Sequence, residues 1–98
     1  MSSGRKERIL ISCVSFEVAK IVEPAVYYEA TKVHLIHYGS TVYKEFYDEV
    51  EKQIREELPR AEILEHKDDP IFDFEKMMNL VLRIINSEQK RTEGKADI

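Results

Sequence analysis

Several residue types are scarce in this sequence of 98 residues, which has one cysteine, no tryptophan, three glycines and three prolines. The single cysteine, Cys13, excludes an intramolecular disulfide, and its position in an apolar run predicts a buried, packed thiol. No apolar run approaches the roughly 18 residues that a membrane-spanning helix requires. The polar amino terminus contains no recognisable signal or transit peptide. We therefore expect a water-soluble, cytoplasmic protein.

Motifs for the common nucleotide cofactors are also missing. The glycines are too scattered for a dinucleotide-binding fingerprint, and no phosphate-binding loop with a Gly-Lys-Ser/Thr ending is present. Cys13 with His34 or His37 could serve as a nucleophile and base, but this spacing is not diagnostic. Period-two geometry places the two histidines on opposite faces of a strand, so they do not form one ligand pair. We therefore predict structural, hydrogen-bonded histidines and no enzyme.

The charge balance argues against direct contact with nucleic acid. The chain has 15 basic and 19 acidic residues, for a net charge of −4. An acidic protein has no electrostatic reason to bind a phosphate backbone. Glu, Lys and Arg supply most of the charge while side-chain amides are few, a balance typical of heat-adapted proteins. We expect a thermostable protein with no direct nucleic-acid partner and no membrane partner.

Short apolar runs alternate with stretches of helical periodicity along the chain. The segments Arg8–Val14 and Lys32–His37 are rich in β-branched residues and predict strands of a parallel sheet. Ala61–Glu65 predicts a shorter strand near a sheet edge. His66–Pro70 follows as a turn-rich polar loop. Apolar residues recur at helical spacing in three segments. The predicted helices cover residues 18–30, 43–58 and 74–85.

This order predicts an α/β fold, a three-layer Rossmann-like βαβαβα(β) arrangement with a mostly parallel sheet. We expect a single domain over residues 8–98, after a disordered lead-in at residues 1–7. Residues 87–95 predict an exposed loop, and Ala96–Ile98 has the extended character of a strand's beginning. A frayed terminus, or a domain truncated before its last strands, would each explain that ending.

In such folds, ligands bind beyond the carboxyl ends of the parallel strands. The polar or distinctive residues near the ends of the first two predicted strands are therefore candidates for a nucleotide or anion pocket. Turn and helix-cap roles would also explain them. The candidate ligand-binding residues are Ser12, Ser15, Phe16, Glu17 and Ser40.

The acidic stretch from Glu62 to Glu75 offers a second kind of site. Asp68, Asp69 and Asp73 carry hard oxygen donors, which could hold calcium or magnesium if the loop curls. The EF-hand pattern is missing, and the first two aspartates could equally occupy a solvated turn. Asp73 could instead stabilise the amino terminus of the next helix. No other cofactor is evident from the sequence.

Three segments of the chain resemble a known family. Arg8-Ile-Leu-Ile-Ser-Cys-Val-Ser-Phe-Glu17, Ile21-Val-Glu-Pro-Ala25 and Lys32-Val-His-Leu-Ile36 are similar to the amino-terminal part of CRISPR-associated Rossmann-fold (CARF) domains, in particular those of archaeal transcriptional regulators. The resemblance extends over about residues 8–98. It implies a homodimer that binds a cyclic oligoadenylate or another nucleotide-like ligand and relays occupancy to a carboxy-terminal effector.

Only the first ligand loop of that family can be carried over, onto Ser15, Phe16 and Glu17. The family often has glycine where this chain has Ser15. The resemblance therefore implies a non-enzymatic, ligand-sensing domain of a regulator. A small calcium-binding protein that uses the acidic loop, and a scaffold domain without ligand, remain the alternatives.

Overall fold

The computed structural model of the chain describes residues 7–14, 17–37, 41–67 and 74–98. Within these ranges strands and helices alternate as the sequence predicts, so the protein is an α/β domain of the Rossmann-like class. In chain order the elements are β1 (Ile9–Cys13), α1 (Val18–Tyr27), β2 (Lys32–His37), α2 (Thr41–Glu57), β3 (Glu62–Lys67) and α3 (Phe74–Thr92).

The three strands form a parallel sheet in the order β1-β2-β3, with β2 in the centre. Cys13 at the end of β1 pairs with Ile36, and His37 at the end of β2 pairs with Lys67 of β3. Because the strands run in the same direction, their carboxyl ends meet at one edge of the sheet, which we call the rim. The predicted edge position of β3 is confirmed.

Helices cover both faces of the sheet, which confirms the three-layer arrangement. α1 and α2 pack on one face, where Leu35 of β2 is buried together with Val50 and Ile54. α3 packs on the opposite face, where Ile36 is buried with Ile84. Leu35 and Ile36 are adjacent and both fully buried, as expected of a central parallel strand. Burial of each side chain contributes about 1.5–3 kcal/mol to stability.

The third strand is longer than the sequence predicts. The predicted end at Glu65, with a loop from His66 onward, is wrong because β3 continues through Lys67. His66 pairs with Ile36 in the sheet. Its ring Nε2 also lies 2.8 Å from the Nδ1 of His34. A polar residue that resembles a loop residue in the sequence is thus held in the strand by a polar neighbour.

The third helix is also longer than predicted. The exposed loop expected over residues 87–95 is helical as far as Thr92. Local propensity permits this extension, since most of these polar residues are good helix formers. Glu88 is moreover buried, with 4% of its surface exposed. The helix ends at a left-handed cap, where Gly94 has a φ of 75° and its N–H donates to the Gln89 carbonyl at 2.7 Å.

The end of the chain returns to the outer edge of β1. Asp97 forms a parallel bridge with Arg8, which confirms the predicted extended character at this position. The Ile9 N–H donates to the Asp97 carbonyl at 2.7 Å, and the Asp97 N–H donates to the Glu7 carbonyl at 2.8 Å. Within the described ranges, none of the helices has the length and hydrophobicity needed to cross a bilayer.

Candidate functional site

The rim brings together the carboxyl ends of all three strands. β1 ends at Cys13, β2 at His37 and β3 at Lys67. Each strand is followed by a helix that begins near the same edge, so the amino-terminal ends of the helices also lie at the rim. Free N–H groups and the helix dipole make such ends favourable places for an anion. The rim is therefore the natural position for a ligand on this sheet.

Two of the predicted ligand-binding residues lie beside the carboxyl end of β1. Ser12 is half-buried and pairs with Leu35, so it lies on the sheet face that packs against α1 and α2. Glu17 is exposed at the start of α1, where its side chain does not cap the helix. It forms an ion pair with Lys20 at 3.2 Å. Both positions agree with the predicted rim location, and their role in ligand binding stays a prediction.

The remaining predicted site residues lie outside the described residues. No group of three or more His, Cys, Asp or Glu side chains that could hold a metal ion occurs in the described part of the chain. The calcium or magnesium site therefore stays a prediction. The residues concerned are Ser15, Phe16 and Ser40 of the nucleotide pocket and Asp68, Asp69 and Asp73 of the metal site.

The predicted burial of Cys13 is wrong. The residue is exposed, because it is the last residue of an edge strand rather than a member of the core. Its Sγ atom lies 3.8 Å from the Sδ of Met77 in α3. Partial burial raises the pKa of the Cys13 thiol. A smaller fraction of the thiol is therefore ionised at neutral pH. Both ring nitrogens of His34 and the Nε2 of His37 lie within hydrogen-bond distance of other residues. The predicted hydrogen bonding is confirmed, and the purely structural role of these histidines stays a prediction.

A polar cluster at the rim connects β2, β3 and α2. His37 is completely buried, and its Nε2 lies 2.6 Å from the Oε2 of Glu65 in β3. The imidazole stacks on Tyr47 of α2, with 4.8 Å between ring centroids. Lys44 lies over the same tyrosine ring at 4.9 Å and 3.9 Å from the Glu65 carboxylate. We call these four residues the rim cluster.

The electrostatics of the rim cluster keep Lys44 charged. Its ammonium group is 2.9 Å from Asp48, and this hydrogen bond together with nearby carboxylates raises the pKa of Lys44. Burial, followed by the charges of Glu51 and Glu65, raises the pKa of Tyr47 to about 12. The tyrosine therefore remains a neutral phenol, and the cluster presents a cation at the start of α2.

A second polar cluster lies on the opposite face of the sheet, between β2, β3 and α3. The Glu88 Oε2 is 2.8 Å from the Lys32 ammonium and 2.6 Å from the His34 Nε2. Its Oε1 accepts a hydrogen bond of 2.8 Å from the Arg91 Nε. The His34 Nδ1 lies 2.8 Å from the His66 Nε2. We call these five residues the Glu88 network.

Glu88 remains ionised although it is buried. Burial raises the pKa of Glu88, but hydrogen bonds from Lys32, His34 and Arg91 outweigh it and lower the pKa to about 2. Because a carboxylate can only accept, the His34 Nε2 must donate to it. In a neutral imidazole the His34 Nδ1 then accepts, so the His66 Nε2 donates. The carboxylate thus sets the orientation of both rings.

Sequence reasoning missed both clusters, although a signal was present for each. His34 and His37 interrupt an otherwise apolar central strand, and buried polar groups need partners. Glu88 continues the buried helical stripe of Leu80 and Ile84 at four-residue spacing. A carboxylate in such a stripe indicates a buried ion pair. The partner residues come from other elements and cannot be identified from these positions alone.

Comparison with known proteins identifies a family that the chain resembles over most of its length. A family model described as "HFX_2341_N:-like, N-terminal" matches residues 8–94. The match therefore includes all three strands, all three helices, the rim cluster and the Glu88 network. No curated protein and no solved structure matches the chain.

Proposed function

Because the chain belongs to the family described as HFX_2341_N:-like, N-terminal, we propose that it is an amino-terminal sensory domain of a regulator. In this proposal it is CARF-like and binds a nucleotide-like ligand, such as a cyclic oligoadenylate, without catalysing a reaction. The observation that carries the proposal is the parallel pairing of β1, β2 and β3, since it brings three strand ends to one rim.

The charges at the rim favour an anionic group on the ligand. Lys44 lies in the first turn of α2 and is held in its charged form by Asp48. The neighbouring helix amino termini also favour negative charge. A phosphate of a nucleotide-like ligand would therefore find an ammonium group and backbone N–H donors at the same edge of the sheet.

The rim cluster also supports sensing, because its contacts connect separate elements. Lys44 interacts weakly with Glu65 at 3.9 Å, and Glu65 bonds to the buried His37 at 2.6 Å. An anion that binds Lys44 would compete with Glu65 for the ammonium group. The change would reach His37 and Tyr47 in the core, so ligand occupancy would bias the packing of α2 on the sheet.

Titration of the 98-residue chain with a cyclic oligoadenylate, followed by amide chemical shifts, tests the proposal. We expect saturable shifts at Cys13, Glu17 and Lys44. Lys44→Ala should weaken binding by about tenfold, since a hydrogen bond between charged groups contributes on the order of 1.5–3 kcal/mol. Lys52→Ala is the matched control, because Lys52 is an exposed lysine two turns further along α2 and should bind like the parent.

Two results would count against the proposal. Shifts spread over all basic residues would indicate non-specific charge attraction. Equal weakening by Lys44→Ala and Lys52→Ala would show that the rim does not recognise the ligand.

A further inference from the structure

A cleft of about 620 Å³ opens beside the Glu88 network, away from the rim cluster and on the other face of the sheet. It lies between β3 and α3, beside His34 of β2. The polar wall consists of the two stacked imidazoles of His34 and His66 and of residues from α3. The residues that line the cleft are His34, His66, Leu80, Arg83, Ile84, Ser87 and Glu88.

Arg83 and Ser87 are exposed polar residues one turn apart on α3. Their spacing places the two side chains on one face of the helix. In the described part of the chain, Arg8, Arg55 and Arg91 form ion pairs with carboxylates. Arg83 forms no ion pair with a residue of that part. The cleft therefore contains a guanidinium and a hydroxyl beside an apolar floor of Leu80 and Ile84.

From this arrangement we propose that the cleft between β3 and α3 is a second ligand site, which binds a tetrahedral oxyanion group through Arg83 and Ser87. A guanidinium matches the geometry of phosphate and sulfate oxygens, and a hydroxyl can donate to the same group. The apolar floor accommodates a non-polar part of the ligand next to its charged group. The class of ligand is thus a small organic phosphate or sulfate.

The Glu88 carboxylate also lines the cleft. Its Oε2 is 2.8 Å from the Lys32 ammonium, and its Oε1 is 2.8 Å from the Arg91 Nε. These ion pairs compensate the charge of the carboxylate, so the Arg83 guanidinium can attract an anion beside it.

The test is a titration of the full chain with sodium sulfate at constant ionic strength, with sodium chloride as the reference salt. We expect saturable amide shifts between Leu80 and Glu88. Arg83→Gln should weaken sulfate binding at least tenfold. Arg60→Gln, at an exposed arginine outside the cleft, should change it less than twofold.

Two results would overturn this site. One is a set of sulfate shifts that do not saturate, and the other is equal weakening by Arg83→Gln and Arg60→Gln.

Discussion

The Nε2 of His34 lies 2.6 Å from the Oε2 of Glu88, although the two residues are 54 positions apart in the chain. This bond joins the central strand β2 to α3, and both side chains are buried. The bond forms because both groups are polar and buried. A buried carboxylate requires hydrogen-bond donors and a buried imidazole requires partners for its ring nitrogens, so each group satisfies the other.

Removal of the Glu88 carboxylate should strongly destabilise the fold. Glu88→Ala leaves the buried His34 and the mostly buried Lys32 without their acceptor, and loss of one partner of a buried pair costs about 3–5 kcal/mol. Urea denaturation would measure the change in the free energy of unfolding. Glu56→Ala, at an exposed position on α2, is the control and should stay within about 0.5 kcal/mol of the parent. Equal effects would show that the network does not stabilise the fold.

Acid should destabilise the protein through the same residue. The folded state lowers the pKa of Glu88 from 4.5 to about 2, so the unfolded state binds its proton first as the pH falls. The stabilisation is complete above about pH 4.5 and is lost progressively down to about pH 2, with a total on the order of 3 kcal/mol. Denaturation at a series of pH values measures this slope. A Glu88→Gln variant should show a flatter profile, and an unchanged profile would contradict the prediction.

The central strand should tolerate truncation poorly. Leu35 is fully buried between β2 and the two helices on its face, and Leu35→Ala should cost about 2–5 kcal/mol because it leaves a cavity. Leu82 of α3 is 48% exposed, so Leu82→Ala should cost far less. The difference between the two midpoints in urea tests whether the core lies where the structure places it.

Cys13 should react slowly despite its exposure. Partial burial of the Sγ atom raises the pKa of the thiol, so alkylation at about pH 8 should be slower than that of an unstructured cysteine peptide. Above that pH, the alkylation rate of Cys13 should increase more steeply with pH than the rate of the peptide. Met77→Ala removes the contact that covers one side of the thiol and should speed alkylation. Because Cys13 is the single cysteine, mass spectrometry reads its modification without ambiguity. A rate equal to that of the peptide would contradict the prediction.

Element type was predictable from the sequence because local periodicity reflects burial. The apolar run Lys32–His37 and the stripes of α2 and α3 predict one buried strand and two amphipathic helices, and all three are present. Element boundaries were less predictable. β3 and α3 extend beyond their predicted ends because His66 and Glu88, polar residues typical of loops, are satisfied by partners on other elements.

The sequence by itself determined the order of strands and helices, the parallel sheet and the edge at which its strands end. These features depend on the spacing of apolar residues and on the handedness of strand–helix–strand connections, both of which are local. Only the tertiary structure decided which polar residues meet. Lys44 and Glu65, or His34 and Glu88, come together because the sheet register and helix packing align them. The exposure of Cys13 was also decided by the tertiary structure. The burial of a strand residue depends on whether the fold places that strand at an edge of the sheet.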